Sequence, residues 1–244
     1  MTEPLAMDSE RVLRWFAGTL LKRYQHLFCA TVRGDGTPNL LHAPYVWDGA
    51  SAYILVETAV AAAAALDAAG TVAGLVTASD GLPAVQLRGA IAPVADQADS
   101  ARIMARLPTR RGVAQPHGQL YRIAPTELRP RPDLIAIRTA SAGETIVKQG
   151  DMPDRFYVIL AGDCEVVQGG ASNRQVVATL TTGAYFGETG LLAGVPRTAS
   201  VVATGEAQLL GLSRPAFQAA LSDTASTAEE LARVIYAEAV GGRR

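Results

Sequence analysis

The residues best suited to chemistry in this chain lie in one glycine-rich segment, residues 186–201. Glu188 supplies a carboxylate that accepts hydrogen bonds but donates none when ionised, which suits a sugar hydroxyl and repels a phosphate. Arg197 supplies a planar fork of N–H donors that grips two phosphate oxygens at once. Thr198 adds a hydroxyl beside it. The segment therefore predicts a pocket for a sugar phosphate that carries one negative charge.

The glycines of the segment explain how a backbone can approach such a ligand closely. Gly187, Gly190 and Gly194 permit tight turns, and a short helical turn after Gly187 leaves free N–H groups that favour an anion. The competing interpretation is a plain surface salt bridge between Glu188 and Arg197. Such pairs are common and contribute little, and this one leaves the glycine spacing without a role. The sequence therefore favours a ligand pocket.

The glycine-rich segment resembles the phosphate-binding cassette of the cyclic-nucleotide-binding domain superfamily. That superfamily includes regulatory subunits of cAMP-dependent kinase, cGMP-dependent kinases and bacterial catabolite activators. The neighbouring segments that share the resemblance are 142–146, 149–151, 156–159 and 183–188. The resemblance covers about 135–222 and implies a β-roll closed by terminal helices.

The resemblance also implies which residues contact the nucleotide: Gly187, Glu188, Thr189, Gly190, Arg197, Thr198 and Ala199. Glu188 is expected to bind the ribose 2′-hydroxyl and Arg197 the cyclic phosphate, with Val177 and Leu180 packing on the base. The Arg-Thr-Ala order resembles cGMP-dependent kinases, but bacterial cAMP receptors often carry Ser or Thr there too. The expected ligand is cAMP or cGMP, with cAMP preferred.

The amino-terminal half predicts an antiparallel barrel of about six strands with helices at its edges. Strand patterns occur at 28–32, 39–47, 52–57, 72–77, 85–94 and 120–123, and helical patterns at 9–24, 59–69 and 99–107. Prolines alternate with arginines at 127–133 and predict a break between domains. The expected organisation is mainly β: a split barrel over 1–126, a linker over 127–134 and a nucleotide-binding domain over 135–244.

Residues 29–38, 53–58 and 85–89 resemble the split-barrel flavin-binding fold of pyridoxamine-phosphate oxidases and their flavin, deazaflavin and haem-utilisation relatives. That resemblance implies a homodimer with cofactor pockets between subunits. The candidate cofactor contacts are Thr58, His42 and Arg88.

The loop after the third predicted strand disfavours the usual mode of FMN binding. It keeps Thr58, but residues 59–65 contain no lysine or arginine for the FMN phosphate. Each missing charge-assisted hydrogen bond is worth about 1.5–3 kcal/mol. Compensation by Arg33, Arg88 or a second subunit stays open.

Two functions are therefore in competition. The leading hypothesis is a cyclic-nucleotide sensor whose barrel has lost catalysis; the alternative is an FMN- or deazaflavin-dependent oxidoreductase gated by the nucleotide, so enzyme activity is left open. Haem binding by the barrel is a third, weaker hypothesis.

The bulk composition narrows the partners and the compartment. A formal net charge of -1 argues against a non-specific nucleic-acid binder, and no helix-turn-helix follows the nucleotide-binding segment. No signal peptide, membrane span or metal-ligand spacing is found, and Cys29 and Cys164 are expected to be reduced thiols. The sequence predicts a cytoplasmic protein without DNA, membrane or metal as partner.

Overall fold

The computed structural model describes residues 8–23, 26–32, 35–56, 66–67, 69–77, 83–107, 118–170 and 173–240. The chain divides into two compact units. The barrel unit comprises Phe16–Arg131, and the roll unit comprises the described residues up to Trp15 together with those from Pro132 onward. The first helix, α1 (Ser9–Arg23), contributes residues to both units.

Six antiparallel strands close into a barrel in the order β1-β2-β3-β6-β5-β4. They are β1 (His26–Val32), β2 (Pro38–Trp47), β3 (Ala52–Val56), β4 (Thr71–Thr77), β5 (Pro83–Pro93) and β6 (Gln119–Pro130), and α2 (Gln97–Met104) lies between the last two in sequence. Side chains alternate along β1, with Leu27 and Cys29 buried and Ala30 exposed, as a half-buried strand requires. The closed antiparallel barrel confirms the predicted six strands and their closure, whereas the resemblance to flavin-binding split barrels stays a prediction. The predicted helix over 59–69 lies mostly outside the described residues.

The predicted linker differs from the structure at its start, because β6 continues through Pro130. Glu127 pairs with Arg88, and Pro130 with Val85. Prolines are compatible with this part of the strand because β3 accompanies β6 only as far as Ile123. Beyond Ile123, β6 pairs only with β5 among the described residues. A proline is tolerated there, because a backbone N–H that points away from β5 has no strand to bond to.

Two four-stranded sheets form the roll unit, in the orders β11-β10-β13-β8 and β12-β9-β14-β7. Their strands are β7 (Ile135–Ala140), β8 (Thr145–Val147), β9 (Arg155–Ala161), β10 (Cys164–Gln168), β11 (Gln175–Leu180), β12 (Tyr185–Phe186), β13 (Ser200–Ala203) and β14 (Ala207–Ser213). Both sheets contribute to one apolar core, which includes Ile159, Phe186, Val201 and Leu209. This arrangement is consistent with the expected β-roll.

Three helices complete the roll unit: α3 (Glu188–Ala193), α4 (Arg214–Thr224) and α5 (Ala228–Ala239). The start of α5 is capped by Thr227, whose hydroxyl accepts from Glu230 N at 3.1 Å. Leu231 and Ile235 are buried on one face, as the helical spacing predicts. In the part of the chain that the structure describes, no helix is both long and apolar enough to span a bilayer.

Candidate functional site

Gly187 joins β12 to α3 in a conformation that only glycine adopts readily. Its φ is 93°, in the left-handed region. A Cβ built there would lie 2.6 Å from Arg197 Nη1 and 2.9 Å from the carbonyl oxygen of Arg155. The glycine therefore provides both the turn and the room in which the guanidinium of Arg197 sits.

Arg197 is a buried cation held by three hydrogen bonds. Its residue is only 6% exposed. Nη1 donates to the Gly187 carbonyl at 2.9 Å, and Nη2 donates to the Arg155 carbonyl at 2.6 Å and to Asp154 Oδ1 at 3.2 Å. A guanidinium has five N–H donors, so two are not used by the described residues and can serve a ligand. The carboxylate partner is Asp154 and not Glu188, which removes the salt-bridge interpretation of the glycine-rich segment.

The loop between β8 and β9 fixes the backbone at Arg197 as well. Arg197 N donates to Asp151 O at 2.8 Å, and Gly150 N donates to Arg197 O at 2.9 Å. Gln149 N donates to Ser200 Oγ at 2.9 Å. Residues 197–200, which lead into β13, are thus bonded to residues 149–151, about 50 positions earlier in the chain. The pairing of β13 with β8 brings the two segments together.

Glu188 is half-buried at the first position of α3, where it accepts a hydrogen bond from the Thr189 hydroxyl at 2.8 Å. Burial raises the pKa of Tyr185 nearby, and the carboxylates of Glu188 and Glu229 raise it further. Glu188 and Glu229 both lie close enough to Tyr185 to affect its phenol. The start of α5, which carries Glu229, is therefore close to β12, the strand that leads into Glu188.

A cavity of about 200 Å³ adjoins this arrangement. The seven residues predicted to contact the nucleotide all line it: Gly187, Glu188, Thr189, Gly190, Arg197, Thr198 and Ala199. Four apolar residues also line it and form its apolar wall: Val147, Val166, Leu180 and Val201. Val177 is not part of this wall; it lies 46% exposed on β11.

Sequence reasoning missed Asp154 and three of the four residues of the apolar wall. Val147, Val166 and Val201 reach the cavity from three neighbouring strands, β8, β10 and β13. Alternation of apolar residues indicates which face a strand buries, but nothing in the local sequence distinguishes these valines from ordinary core residues. Asp154 had no local signal, because its partner is 43 residues away.

The cofactor contacts proposed for the barrel do not form an assembled site in the described residues. Thr58 lies outside those residues. His42 stacks against Phe28 at 4.5 Å and His26 at 4.9 Å between ring centroids, outside the barrel core. Arg88 lines an outer groove of about 350 Å³ that Phe28 also borders. Arg129 also lines this groove, but its guanidinium is paired with Glu127. His42 does not line the groove, so the candidate residues are not brought together as a phosphate site, and FMN binding has no support from the described part of the barrel.

The described side chains offer neither a metal-binding cluster nor an exposed thiol. Among residues with described positions, no three His, Cys, Asp or Glu side chains cluster as a metal site requires. Cys29 and Cys164 are both buried and unpaired. Burial raises the pKa of the Cys29 thiol to about 12, so this group is a protonated, unreactive thiol at neutral pH.

Comparison with known proteins matches residues 137–224 to the family "Cyclic nucleotide-binding domain". The cAMP-dependent protein kinase regulatory subunit of Mycosarcoma maydis is 33% identical over 111 residues, which cover 43% of this chain and 21% of that protein. The protein of the same name from Mucor circinelloides is 43% identical over 75 residues, covering 31% and 18%.

The chain thus spans about a fifth of the length of these relatives. A solved structure, the regulatory subunit of a cAMP-independent protein kinase A from Trypanosoma brucei, is 25% identical, with a TM-score of 0.35 over 37% of this chain and 34% of that one. Residues 137–224, in the C-terminal region of the chain, match the cyclic nucleotide-binding domain and are similar to parts of the regulatory subunits of cAMP-dependent protein kinase.

Proposed function

We propose that the roll unit binds cAMP and that the protein is a cyclic-nucleotide sensor. The observation that carries this proposal is the cavity itself, which combines a buried guanidinium, a half-buried carboxylate and an apolar wall. A cyclic nucleotide offers a matching set of groups: a singly charged phosphate, a ribose hydroxyl and a flat base. We favour cAMP over cGMP as the ligand because the similar proteins are regulatory subunits of cAMP-dependent protein kinase.

Arg197 supplies most of the expected binding energy. Two of its donors remain for the phosphate, and burial strengthens a charged hydrogen bond because little water competes. Glu188 accepts the ribose 2′-hydroxyl, and the apolar wall of Val147, Val166, Leu180 and Val201 removes the base from water.

Isothermal titration calorimetry of the full chain with cAMP and cGMP tests this function. Arg197→Ala is expected to lose at least a hundredfold in affinity, because the phosphate is left without its buried cation. Arg174→Ala is the matched control, since Arg174 is an exposed arginine of the same unit, paired with Glu165 at 3.2 Å. A folded wild-type protein that binds neither nucleotide, or an Arg197→Ala variant that binds as wild type, refutes the proposal.

We propose that α5 and residues 131–134 are the segments whose structure changes when the roll unit binds cAMP. The ring of Tyr236 on α5 lies 3.9 Å from the position of a Cβ at Gly183, just before β12. At its other end, α5 contacts the start of α1: Asp8 N donates to Ala239 O at 3.0 Å, and Arg11 pairs with Glu238 at 3.1 Å. The helix that receives these contacts continues into the barrel unit.

A nucleotide shifts this arrangement only if it binds one state more tightly than another. Hydrogen exchange measured with and without cAMP is therefore expected to change in α5, in the first turns of α1 and at 131–134. Identical exchange of all three segments in a nucleotide-saturated sample contradicts this assignment.

The outer face of the barrel supports a homodimer. Leu40 is 71% exposed, Val32 62% and Leu75 37%. Strand register places them on one side, because Leu40 is opposite Ala30 and Leu75 is opposite Phe28, two residues apart on β1. Monomeric proteins rarely leave such apolar faces uncovered, and a second copy of the chain is the proposed cover.

Light scattering coupled to size exclusion tests the homodimer. Leu40→Glu is expected to yield a monomer, because it places a charge on the apolar face at its most exposed residue. Leu192→Glu, at a residue 62% exposed on α3 of the roll unit, is the control and is expected to leave the mass unchanged. A monomeric wild type, or a Leu40→Glu variant that remains dimeric, refutes this proposal.

A further inference from the structure

Arg214 holds the helix that borders the nucleotide cavity, although it does not line the cavity itself. Its Nη1 donates to the carbonyl oxygen of Leu191 at 2.5 Å. Leu191 belongs to α3, whose first three residues, Glu188, Thr189 and Gly190, line the cavity. The opposite end of the same short helix is therefore fixed by the first residue of α4.

A helix of six residues depends on such outside contacts. Helices this short are unstable in isolation, because nucleation costs more than a few hydrogen bonds return. Leu191 anchors α3 in the core at 2% exposure, and Gly194 closes it in the left-handed region by donating to Gly190 O at 2.9 Å. The carbonyl of Leu191 is one of the unsatisfied groups at the helix end, and a cation there also complements the helix dipole.

We propose that Arg214 is a positioning residue for the nucleotide. By fixing the end of α3, it keeps Glu188 and the backbone of Gly190 at the geometry that the ligand requires. This inference rests on the proposed function and adds a residue outside the cavity to the determinants of affinity. Since Ser213 N is itself bonded to Leu134 O at 2.9 Å, Arg214 ties α3 to the same turn, 131–134, that is proposed to respond.

Three variants of the full chain separate this role from general stability. Arg214→Gln removes the charge and shortens the reach, and is expected to weaken cAMP binding about tenfold, as the loss of one charge-assisted hydrogen bond predicts. Arg214→Lys retains a cation and is expected to stay within about threefold of wild type. Arg174→Gln is the matched control, because Arg174 is an exposed arginine of the roll unit that does not line the cavity and is paired with Glu165 at 3.2 Å.

Amide hydrogen exchange supplies the readout that a merely structural role would not produce. In Arg214→Gln without nucleotide, exchange is expected to accelerate at 190–194, while the barrel strand β2 exchanges as in wild type. Wild-type affinity in Arg214→Gln, or equal losses in Arg214→Gln and Arg174→Gln, overturns the inference. If Arg214→Gln does not fold, Arg214→Met, which keeps the length of the side chain but removes every N–H donor, takes its place. Unchanged exchange at 190–194 in Arg214→Met then overturns the inference, and faster exchange there supports it.

The two proposals fail in different ways. A wild-type protein that binds no nucleotide refutes the proposed function, whatever Arg214 does to α3. Wild-type binding that is insensitive to Arg214→Gln refutes only the positioning role.

Discussion

Replacing Asp154 by asparagine is expected to tighten cAMP binding. The Asp154 side chain is 69% exposed, whereas that of its partner Arg197 is 4% exposed. The guanidinium is also held by the carbonyls of Gly187 and Arg155 at 2.9 and 2.6 Å. Asparagine keeps an acceptor oxygen and removes the charge, so the guanidinium stays oriented while a competing anion disappears.

The expected magnitude follows from the distances. Asp154 Oδ1 is 3.2 Å from Arg197 Nη2, so a phosphate bonded to the same guanidinium lies about 6 Å from the carboxylate. At an effective dielectric constant of roughly 60, two unit charges at this separation repel by about 1 kcal/mol. That energy corresponds to about fivefold in affinity. Asparagine also makes a weaker hydrogen bond to Arg197, which offsets part of this energy. We therefore expect cAMP affinity to rise by about two- to fivefold.

Calorimetry at low and high salt is the assay. The gain is expected to shrink between about 50 and 500 mM salt, because ions screen the repulsion. Asp163→Asn is the control; Asp163 is an exposed aspartate of the same unit whose backbone carbonyl, not its side chain, accepts from Thr204. Weaker binding in Asp154→Asn would mean that the carboxylate orients Arg197 more than it competes with the phosphate. An equal gain in cAMP affinity in Asp163→Asn would mean that the effect comes from the net charge of the protein and not from the position of Asp154.

Two further predictions concern stability and thiol chemistry. Gly187→Ala is expected to lower the free energy of unfolding of the roll unit by about 2 kcal/mol more than Gly143→Ala, because both have a positive φ but only the Cβ at 187 meets Arg197, at 2.6 Å; equal losses in thermal or urea unfolding contradict the clash. Cys29, whose pKa is raised to about 12 by burial, is expected to resist a thiol reagent at pH 8 in the native protein and to react after unfolding in urea; rapid native-state labelling at Cys29 by mass spectrometry argues against the buried thiol.

The barrel was predictable because its strands carry their own signals. Alternation along β1 and the turn residues between strands predict both the number of strands and the buried face. The end of β6 was not predictable in this way. Prolines at 125 and 130 normally argue against a strand, and they are tolerated here because β6 extends beyond the end of β3. How far β6 extends beyond β3 depends on the lengths and register of both strands, which the local sequence around the prolines does not show.

The residues that meet at the candidate site can be read from the sequence alone, because most of them belong to one continuous segment. Gly187, Glu188 and Arg197 are at most ten residues apart, so a single turn and a short helix bring them to one cavity. Their surroundings, in contrast, depend on contacts between distant parts of the chain. Asp154 meets Arg197, and Arg214 meets Leu191, through strand pairing and helix packing over 43 and 23 residues of chain. Such contacts depend on register and on packing, and no local pattern of residue types encodes them.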